Sequence, residues 1–507
     1  MTDEDYERYL RSLLSRPGPR TPTAAEDNLE ATRHIVDEAC VNFFIYKAGQ
    51  SLELNDGSFL RICTVFRDAS NAVSFGGRRL MRTWNHKGTY VPKARNELIW
   101  IVPEKRIIPF DDVKRFVTIN FTNSINPDGQ HRLGQLFCRL KESRKGETLN
   151  EEGSVEYVPY AEADADFRVE PAILRRLWRG QTCAFGEAES KTPVIVLDDE
   201  PGTGDKTRRK YTFGDGFCGA GGVSCGAQLA GLQLKWAFDN SEHAIDTYRL
   251  NFDTDCEYSD VFSFLTNDYQ FLKVDISHGS PPCQTFSPAH TVNSVHDDAN
   301  SACIFSCSDL LKKARPRIHT MEETSGLFER HKETFYRVIQ DFVEIGYSVR
   351  WNVLRTDDYG VPQIRRRLVI IASGPGETLP PFPGPTETCT IHRAISQIPQ
   401  GTPDHDVNTA VVKARERGFI RPPYDAESLA HTITCSGGEG NYHPSGERKF
   451  THRELACLQT FPLSFRFGGK EVTKQIGNAV PPKLATAIFR EIVRSLRDTD
   501  ERESNLD

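Results

Sequence analysis

Hydrophobic and polar positions alternate in short runs along the first third of the chain. Phe59-Leu60-Arg61-Ile62-Cys63-Thr64-Val65-Phe66, Leu98-Ile99-Trp100-Ile101-Val102 and Phe116-Val117-Thr118-Ile119-Asn120-Phe121 are rich in β-branched and aromatic residues and are separated by turn residues. This texture predicts strands from about 35 to 165, with a helical interlude around 161–181. Residues 1–30 read as a frayed helix and then a breaker stretch, Arg16-Pro17-Gly18-Pro19-Arg20, and hence as a flexible tail. The acidic, glycine-containing run Leu197-Asp198-Asp199-Glu200-Pro201-Gly202 reads as a linker or exposed loop.

Beyond it the period changes. Strand-like runs at 211–215, 234–239, 273–277, 317–322, 347–354 and 366–372 alternate with helical patterns that end near 231 or span 242–252, 300–313 and 329–345. Such alternation predicts an α/β fold with a parallel, doubly wound sheet, whose ligand sites lie at the carboxyl ends of the strands. No internal repeat is evident.

A chain of 507 residues is natural for two domains plus tails. With 38% hydrophobic residues it has the composition of a globular protein. No apolar run approaches the roughly 20 residues of a membrane helix. The acidic start, Met1-Thr2-Asp3-Glu4-Asp5, is the opposite of a secretory or transit peptide, so an intracellular protein is expected. The 13 cysteines are scattered, and the closest spacing, Cys303 and Cys307, has no partner pair to complete a zinc site. Reduced thiols and no metal are expected. A net charge of −7 argues against a wholly basic nucleic-acid coat. Basic clusters such as Arg78-Arg79-Arg82, Lys312-Lys313-Arg315-Arg317 and Arg365-Arg366-Arg367 serve equally as solvated faces or as the lining of one cleft.

Candidate chemistry narrows the choice. Phe217-x-Gly219-x-Gly221-Gly222 follows the first strand of the second half and opens a helix, where glycines let the backbone approach a ligand. Twenty residues after Gly219, Asp239 ends the next strand, in position to accept ribose hydroxyls, and Asp260 at the following strand end suits an adenine amino group. This order suggests a nucleoside cofactor without naming it. The strand at 273–277 then runs into His278-Gly279-Ser280-Pro281-Pro282-Cys283-Gln284-Thr285-Phe286-Ser287, where two prolines stiffen the chain ahead of a cysteine at the crevice. The strand at 317–322 ends in Met321-Glu322-Glu323-Thr324 and should neighbour the strand that leads to Cys283. A thiolate beside a carboxylic acid suits addition to an electron-poor ring carbon, with the acid serving a ring nitrogen.

These residues, with Gln363-x-Arg365-x-Arg367, Arg448-x-x-Thr451-x-Arg453-Glu454 and Gln475-Ile476-Gly477-Asn478, resemble in order the motifs of C5-cytosine DNA methyltransferases over about 210–490. Thr285-Phe286-Ser287-Pro288-Ala289-His290 and Glu322-Glu323-Thr324 look most like the fungal branch tied to premeiotic silencing and repeat-induced point mutation. The resemblance implies a Rossmann-like S-adenosyl-L-methionine-dependent domain with a small target-recognition region. It implies Cys283 as nucleophile on cytosine C6, Glu322 as the acid at N3, and Arg365 and Arg367 at the base and thiolate. It implies Phe217, Gly219, Gly221, Gly222, Asp239, Asp260 and Asn478 around the cofactor, and Gln284, Ser287 and Arg366 against DNA. The family's commonest acid motif has asparagine and valine after the glutamate, where this chain has Glu323 and Thr324.

Residues 40–165, with Gly49-Gln50-Ser51-Leu52-Glu53-Leu54 and Asn96-Glu97-Leu98, are similar to bromo-adjacent homology domains, the alternative being a family-specific β cap. The expected organisation is a tail at 1–30, a β-rich domain at 35–180, a linker at 181–208, a catalytic core at 209–373, a target-recognition region at 374–445, further catalytic motifs at 446–492 and an acidic tail at 493–507. A nuclear enzyme of de novo or silencing type acting on double-stranded DNA is expected, with a histone or chromatin partner for the β-rich domain and no membrane partner. Two competing readings are a transfer-RNA cytosine methyltransferase and a chromatin-binding homologue with a weak or silent catalytic domain.

Overall fold

The computed structural model describes residues 33–102, 107–125, 135–144, 152–180, 210–266, 272–282, 286, 297–438 and 440–505. The expected tail at 1–30 and linker at 181–208, and with them Cys283, Gln284 and Ser287, lie outside the described residues. The chain divides into two compact units, Met1–Pro171 with Leu327–Asn352 and Ala172–Gly326 with Val353–Asp507.

The first unit mixes antiparallel and parallel pairing, with Leu136–Arg144 running parallel to both Glu97–Val102 and Ile119–Phe121. Phe59–Arg67 pairs with Val73–Arg82, which pairs in turn with Glu97–Val102. The alternation read from the sequence places Leu52, Leu60, Ile62, Val65 and Phe75 in one apolar cluster and Phe59, Leu80, Leu98 and Phe121 in another. Residues 327–352, expected within the catalytic core, cluster with this unit instead. Gly153–Val155 pairs antiparallel with Val349–Trp351, and the Tyr157 hydroxyl donates to the Val343 carbonyl at 2.9 Å. The Tyr90 ring packs on Tyr336 and Trp351, with centroids 4.9 and 5.9 Å away. Aromatic burial and strand pairing, both non-local, decide this membership. The helical interlude contracts to Pro171–Arg179, starting at a proline whose fixed φ suits a first turn.

The second unit carries β1 (Thr212–Gly216), β2 (Gln233–Asp239), β3 (Cys256–Tyr258), β4 (Ile276–Gly279) and β5 (Ile318–Thr324). β6 (Ser348–Arg355) crosses the division, and β7 (Arg366–Ser373) follows. Neighbours run β3-β2-β1-β4-β5-β7, parallel except for the antiparallel β7. The chain moves outward from β1 through β2 and β3, then returns to β4 on the other side. That reversal opens a crevice beyond the carboxyl ends of β1 and β4. The expected pairing of β4 with β5 is present, with Ser277 opposite His319.

Helices α1 (Gly222–Leu229), α2 (Glu242–Asn251), α3 (Val261–Thr266) and α4 (Asp297–Ala314) fill the crossovers. They are followed by α5 (His452–Leu458), α6 (Val472–Asn478) and α7 (Pro482–Ser504). One apolar layer joins Phe213, Val223, Ile276, Ile318, Leu484 and Phe489, and another joins Trp236, Phe238, Phe264 and Leu310. α1 and the approach to α7 meet so closely that a Cβ at Gly222 would lie 2.4 Å from the Val480 carbonyl oxygen. The expected acidic tail at 493–507 is corrected by α7, which continues through Ser504 with Val493, Leu496 and Thr499 buried. Its apolar residues keep helical spacing through the acidic stretch, and Asp500 accepts from the Tyr211 hydroxyl at 2.7 Å.

Candidate active site

The residues expected around a cofactor begin where β1 turns into α1. Phe217 (φ 58°) and Gly219 (φ 52°) both take the left-handed conformation, so the loop turns tightly, with the Cys218 N–H donating to the Phe238 carbonyl at 3.0 Å and the Gly221 N–H to the Cys218 carbonyl at 2.9 Å. Gly221 precedes α1, which Gly222 starts. The Gly219 N–H donates to one Asp239 carboxylate oxygen at 2.8 Å, and the Ser241 N–H donates to the other at 2.9 Å. Asp239 is thereby aimed by the two loops it joins, while burial pushes its carboxyl up from the ordinary range. Its chain neighbours apart, no atom of the described residues lies within 4 Å of the position a Cβ on Gly219 would take, so the loop leaves open space there. Phe217 packs its ring against Phe238 at 5.3 Å.

Asp260 is exposed and engaged locally. It accepts from the Phe262 and Ser263 N–H groups at 2.9 and 3.1 Å and from the Ser263 hydroxyl at 2.7 Å, which caps α3. Those hydrogen bonds, led by the Ser263 side chain, hold its carboxyl below the usual range. Asn478, at the end of α6, is also exposed, and its carbonyl oxygen accepts from the Cys435 thiol at 2.8 Å. Gln475, one turn earlier, is buried; it accepts from the Thr247 hydroxyl at 2.6 Å and donates to the Gly468 and Lys470 carbonyls.

Among the described residues, those expected to be catalytic lie on β5 and at β7, with β4 beside them. Successive strand residues face opposite ways, which separates the paired carboxylates Glu322 and Glu323. Glu322 shares a small cavity of about 10 Å³, room for one water, with His278, Thr320 and Val369. The Arg367 Nε meets a Glu322 carboxylate oxygen at 2.7 Å, with both side chains largely buried. Glu323 is wholly buried on the other face. Its Oε2 accepts the Thr324 N–H at 3.0 Å, and Oε1 has no partner among the described residues. Burial first, and the neighbouring Glu322 second, push its carboxyl well above the usual range.

The remaining motif residues build the support. Arg365 is buried and donates to the Ile433 and Gly477 carbonyls at 2.9 and 3.1 Å, so its guanidinium ties main-chain segments together. Arg366 is exposed at the start of β7. Arg448 and Glu454 form a buried bidentate pair at 2.7 and 2.8 Å, and Thr451 and Glu454 complete a capping box on α5. Within the expected target-recognition region at 374–445, Phe382 packs against the core, and the Tyr359 hydroxyl donates to the Pro383 carbonyl at 3.1 Å. The Asn441 amide donates to the His431, Thr432 and Gly437 carbonyls.

Residues 211–417 and 388–494 match the C-5 cytosine-specific DNA methylase family, together more than half of the chain. The chain belongs to that family. This methylase is 30% identical over 322 residues to the type II methyltransferase M1.HphI of Haemophilus parahaemolyticus, covering 56% of this chain and 87% of the relative. It is 28% identical over 323 residues to M.MthTI of Methanothermobacter thermautotrophicus, covering 55% of this chain and 96% of that one. Among solved structures it is similar to the Entamoeba histolytica methyltransferase EhMeth, with a TM-score of 0.45 and 16% identity over 57% of this chain and 99% of that one.

The cofactor of this family of methylases is S-adenosyl-L-methionine. The open cradle at Gly219 and the oriented Asp239 carboxylate fit a nucleoside there. Several polar residues of the site escaped the sequence reading. Asp215, wholly buried inside β1, accepts from the Ser224 hydroxyl at 2.6 Å, and burial pushes its carboxyl to about 7. His278 and Thr320 face each other across β4 and β5. Polar residues inside strands that are otherwise apolar were the available signal.

Proposed function

We propose that this methylase transfers a methyl group from S-adenosyl-L-methionine to C5 of a cytosine in double-stranded DNA. The observation that carries the reading is the buried Glu322–Arg367 pair on β5 and β7, beside the strand that leads into Ser280-Pro281-Pro282-Cys283. Gly219, Gly221 and Gly222 would border the cofactor, Asp239 would take its ribose, and Phe217, Asp260 and Asn478 would close around the remainder. When bound, S-adenosyl-L-methionine supplies an electrophilic methyl group. The Cys283 thiolate adds to C6 of the cytosine, Glu322 gives a proton to N3, and C5 becomes nucleophilic. Arg367 steadies Glu322 and the base oxygen. After methylation a base removes the C5 proton, and elimination frees Cys283.

A base inside a duplex is out of reach of this constellation, so the cytosine must flip out. Gln284, Ser287 and Arg366 would meet the vacated space and the flanking phosphates, and the short target-recognition region would add mainly phosphate contacts. We assign Arg365 an anchoring role in place of contact with the base, because its guanidinium is held by main-chain carbonyls. The resemblance of 285–290 and 322–324 to the fungal silencing branch supports a nuclear, de novo or silencing-type role. The β-rich unit then suits a histone or chromatin partner. Purified protein with labelled methyl donor should label duplex DNA, and bisulfite readout should place the label on cytosine. Labelling of transfer RNA instead of DNA would overturn the reading.

A further inference from the structure

β4 does more than lead to the nucleophile's loop. His278, its third residue, is buried, and its ring bridges two hydroxyls. Nδ1 lies 2.8 Å from Thr320 Oγ1 on β5, and Nε2 lies 2.5 Å from Ser280 Oγ. Burial, and behind it the neighbouring His319, hold the imidazole down at about 3, so the ring stays neutral, with one nitrogen donating and the other accepting. Thr320 also reaches the Ser277 carbonyl at 3.5 Å, and the Ser280 N–H donates to the Gly216 carbonyl of β1 at 3.3 Å. Ser280 is therefore held at both its backbone and its side chain. It opens the Ser280-Pro281-Pro282-Cys283 segment, in which each proline ring fixes its own φ. Thr320 stands two residues before Glu322, on the same face of the same strand.

We propose that His278 and Thr320 are positioning residues for the covalent step: the chain Ser280–His278–Thr320 sets the start of the Cys283 loop against the strand that carries Glu322. The inference rests on the reading of Cys283 as nucleophile. Hydrogen-bonded side chains that act through a shared geometry affect rate more than affinity, and small displacements of reacting groups are costly.

The test uses the full chain. Thr320→Val keeps the shape and removes the hydroxyl, whereas Thr320→Ser restores it. Under single-turnover conditions on duplex DNA, Thr320→Val should slow methyl transfer about 10-fold or more. Its S-adenosyl-L-methionine affinity and DNA KM should stay within about twofold, and Thr320→Ser should recover most of the rate. Ser280→Ala should slow the reaction similarly, and the double variant should be no slower than the worse single one. The Ser280 variant also carries the test if Thr320→Val does not fold. A rate within twofold of the parent in a folded Thr320→Val protein overturns the proposal. Equal slowing by Thr320→Ser, or loss of cofactor affinity in parallel with rate, overturns it as well. On DNA bearing 5-fluorocytosine, trapping that survives Cys283→Ser shows that the nucleophile reading itself has failed. Trapping that needs Cys283 but proceeds at the parent rate in Thr320→Val refutes the positioning proposal alone.

Discussion

Glu323→Gln should change stability in a pH-dependent way while leaving most of the catalytic rate intact. The glutamate is wholly buried, with one oxygen accepting the Thr324 N–H and the other without a partner among the described residues. Desolvation, reinforced by Glu322, raises its carboxyl well above the ordinary 4.5. In the pH range between the unfolded and folded values the native protein binds the proton that the unfolded chain has released. Unfolding free energy therefore falls with rising pH, by up to about 1.4 kcal/mol per pH unit from this one group. The contribution is complete below pH 4.5 and is lost as pH rises through the raised folded value. Glutamine does not titrate, but it leaves amide N–H groups where the acid had one O–H, at a cost of about 1–3 kcal/mol. The variant should thus be the less stable protein near pH 5, and its deficit should shrink and then reverse as pH rises. Urea unfolding of both proteins at half-unit pH steps measures the difference directly. A difference independent of pH would refute the assignment of Glu323 as a buried carboxyl with a raised pKa. Because Glu323 lies on the opposite face of β5 from Glu322, single-turnover methyl transfer should fall by about 10-fold or less. A larger loss from Glu323→Gln than from Glu322→Gln would move the catalytic acid one residue along the strand.

Glu322→Gln should itself lower the methyl-transfer rate by at least about 100-fold, as expected for losing general-acid catalysis, with single-turnover kinetics as the check. Asp239→Ala should weaken S-adenosyl-L-methionine by about 1.5–3 kcal/mol in calorimetry, the scale of charge-assisted hydrogen bonding, and an unchanged affinity would mean that the ribose acid lies elsewhere. Arg365→Met leaves the Ile433 and Gly477 carbonyls without their buried donor, so it should lower unfolding free energy by about 2–4 kcal/mol in denaturant titration.

Much of the catalytic fold could be read from periodicity. The strands β1, β2, β4 and β5 and the neighbourhood of β4 and β5 follow from strand and helix alternation, whereas β3 (Cys256–Tyr258), three residues long, was marked only by the strand end expected before Asp260. Asp239 was placed by its spacing from Gly219, and its hydrogen bond to the Gly219 N–H is the physical reason for that spacing. What escaped depends on contacts between distant segments. The membership of 327–352 is decided by Tyr90, Tyr157 and the pairing of Gly153–Val155, none of which leaves a local signature. The helical end of the chain was obscured because acidic residues fill the outer face of α7 while Val493 and Leu496 keep the inner stripe. Arg365 and Arg367 share one motif, yet the first points to main-chain carbonyls and the second to Glu322. Spacing alone does not distinguish those two partners.

Covalent trapping tests most directly whether this chain methylates cytosine in DNA through Cys283. Duplex DNA carrying 5-fluorocytosine, incubated with S-adenosyl-L-methionine, should hold the parent protein in a complex that survives denaturant, because fluorine blocks the final elimination that frees the thiol. Cys283→Ser should form no such complex while still binding the cofactor. Equal trapping by Cys283→Ser, or no trapping by a parent protein that methylates DNA, would contradict the account.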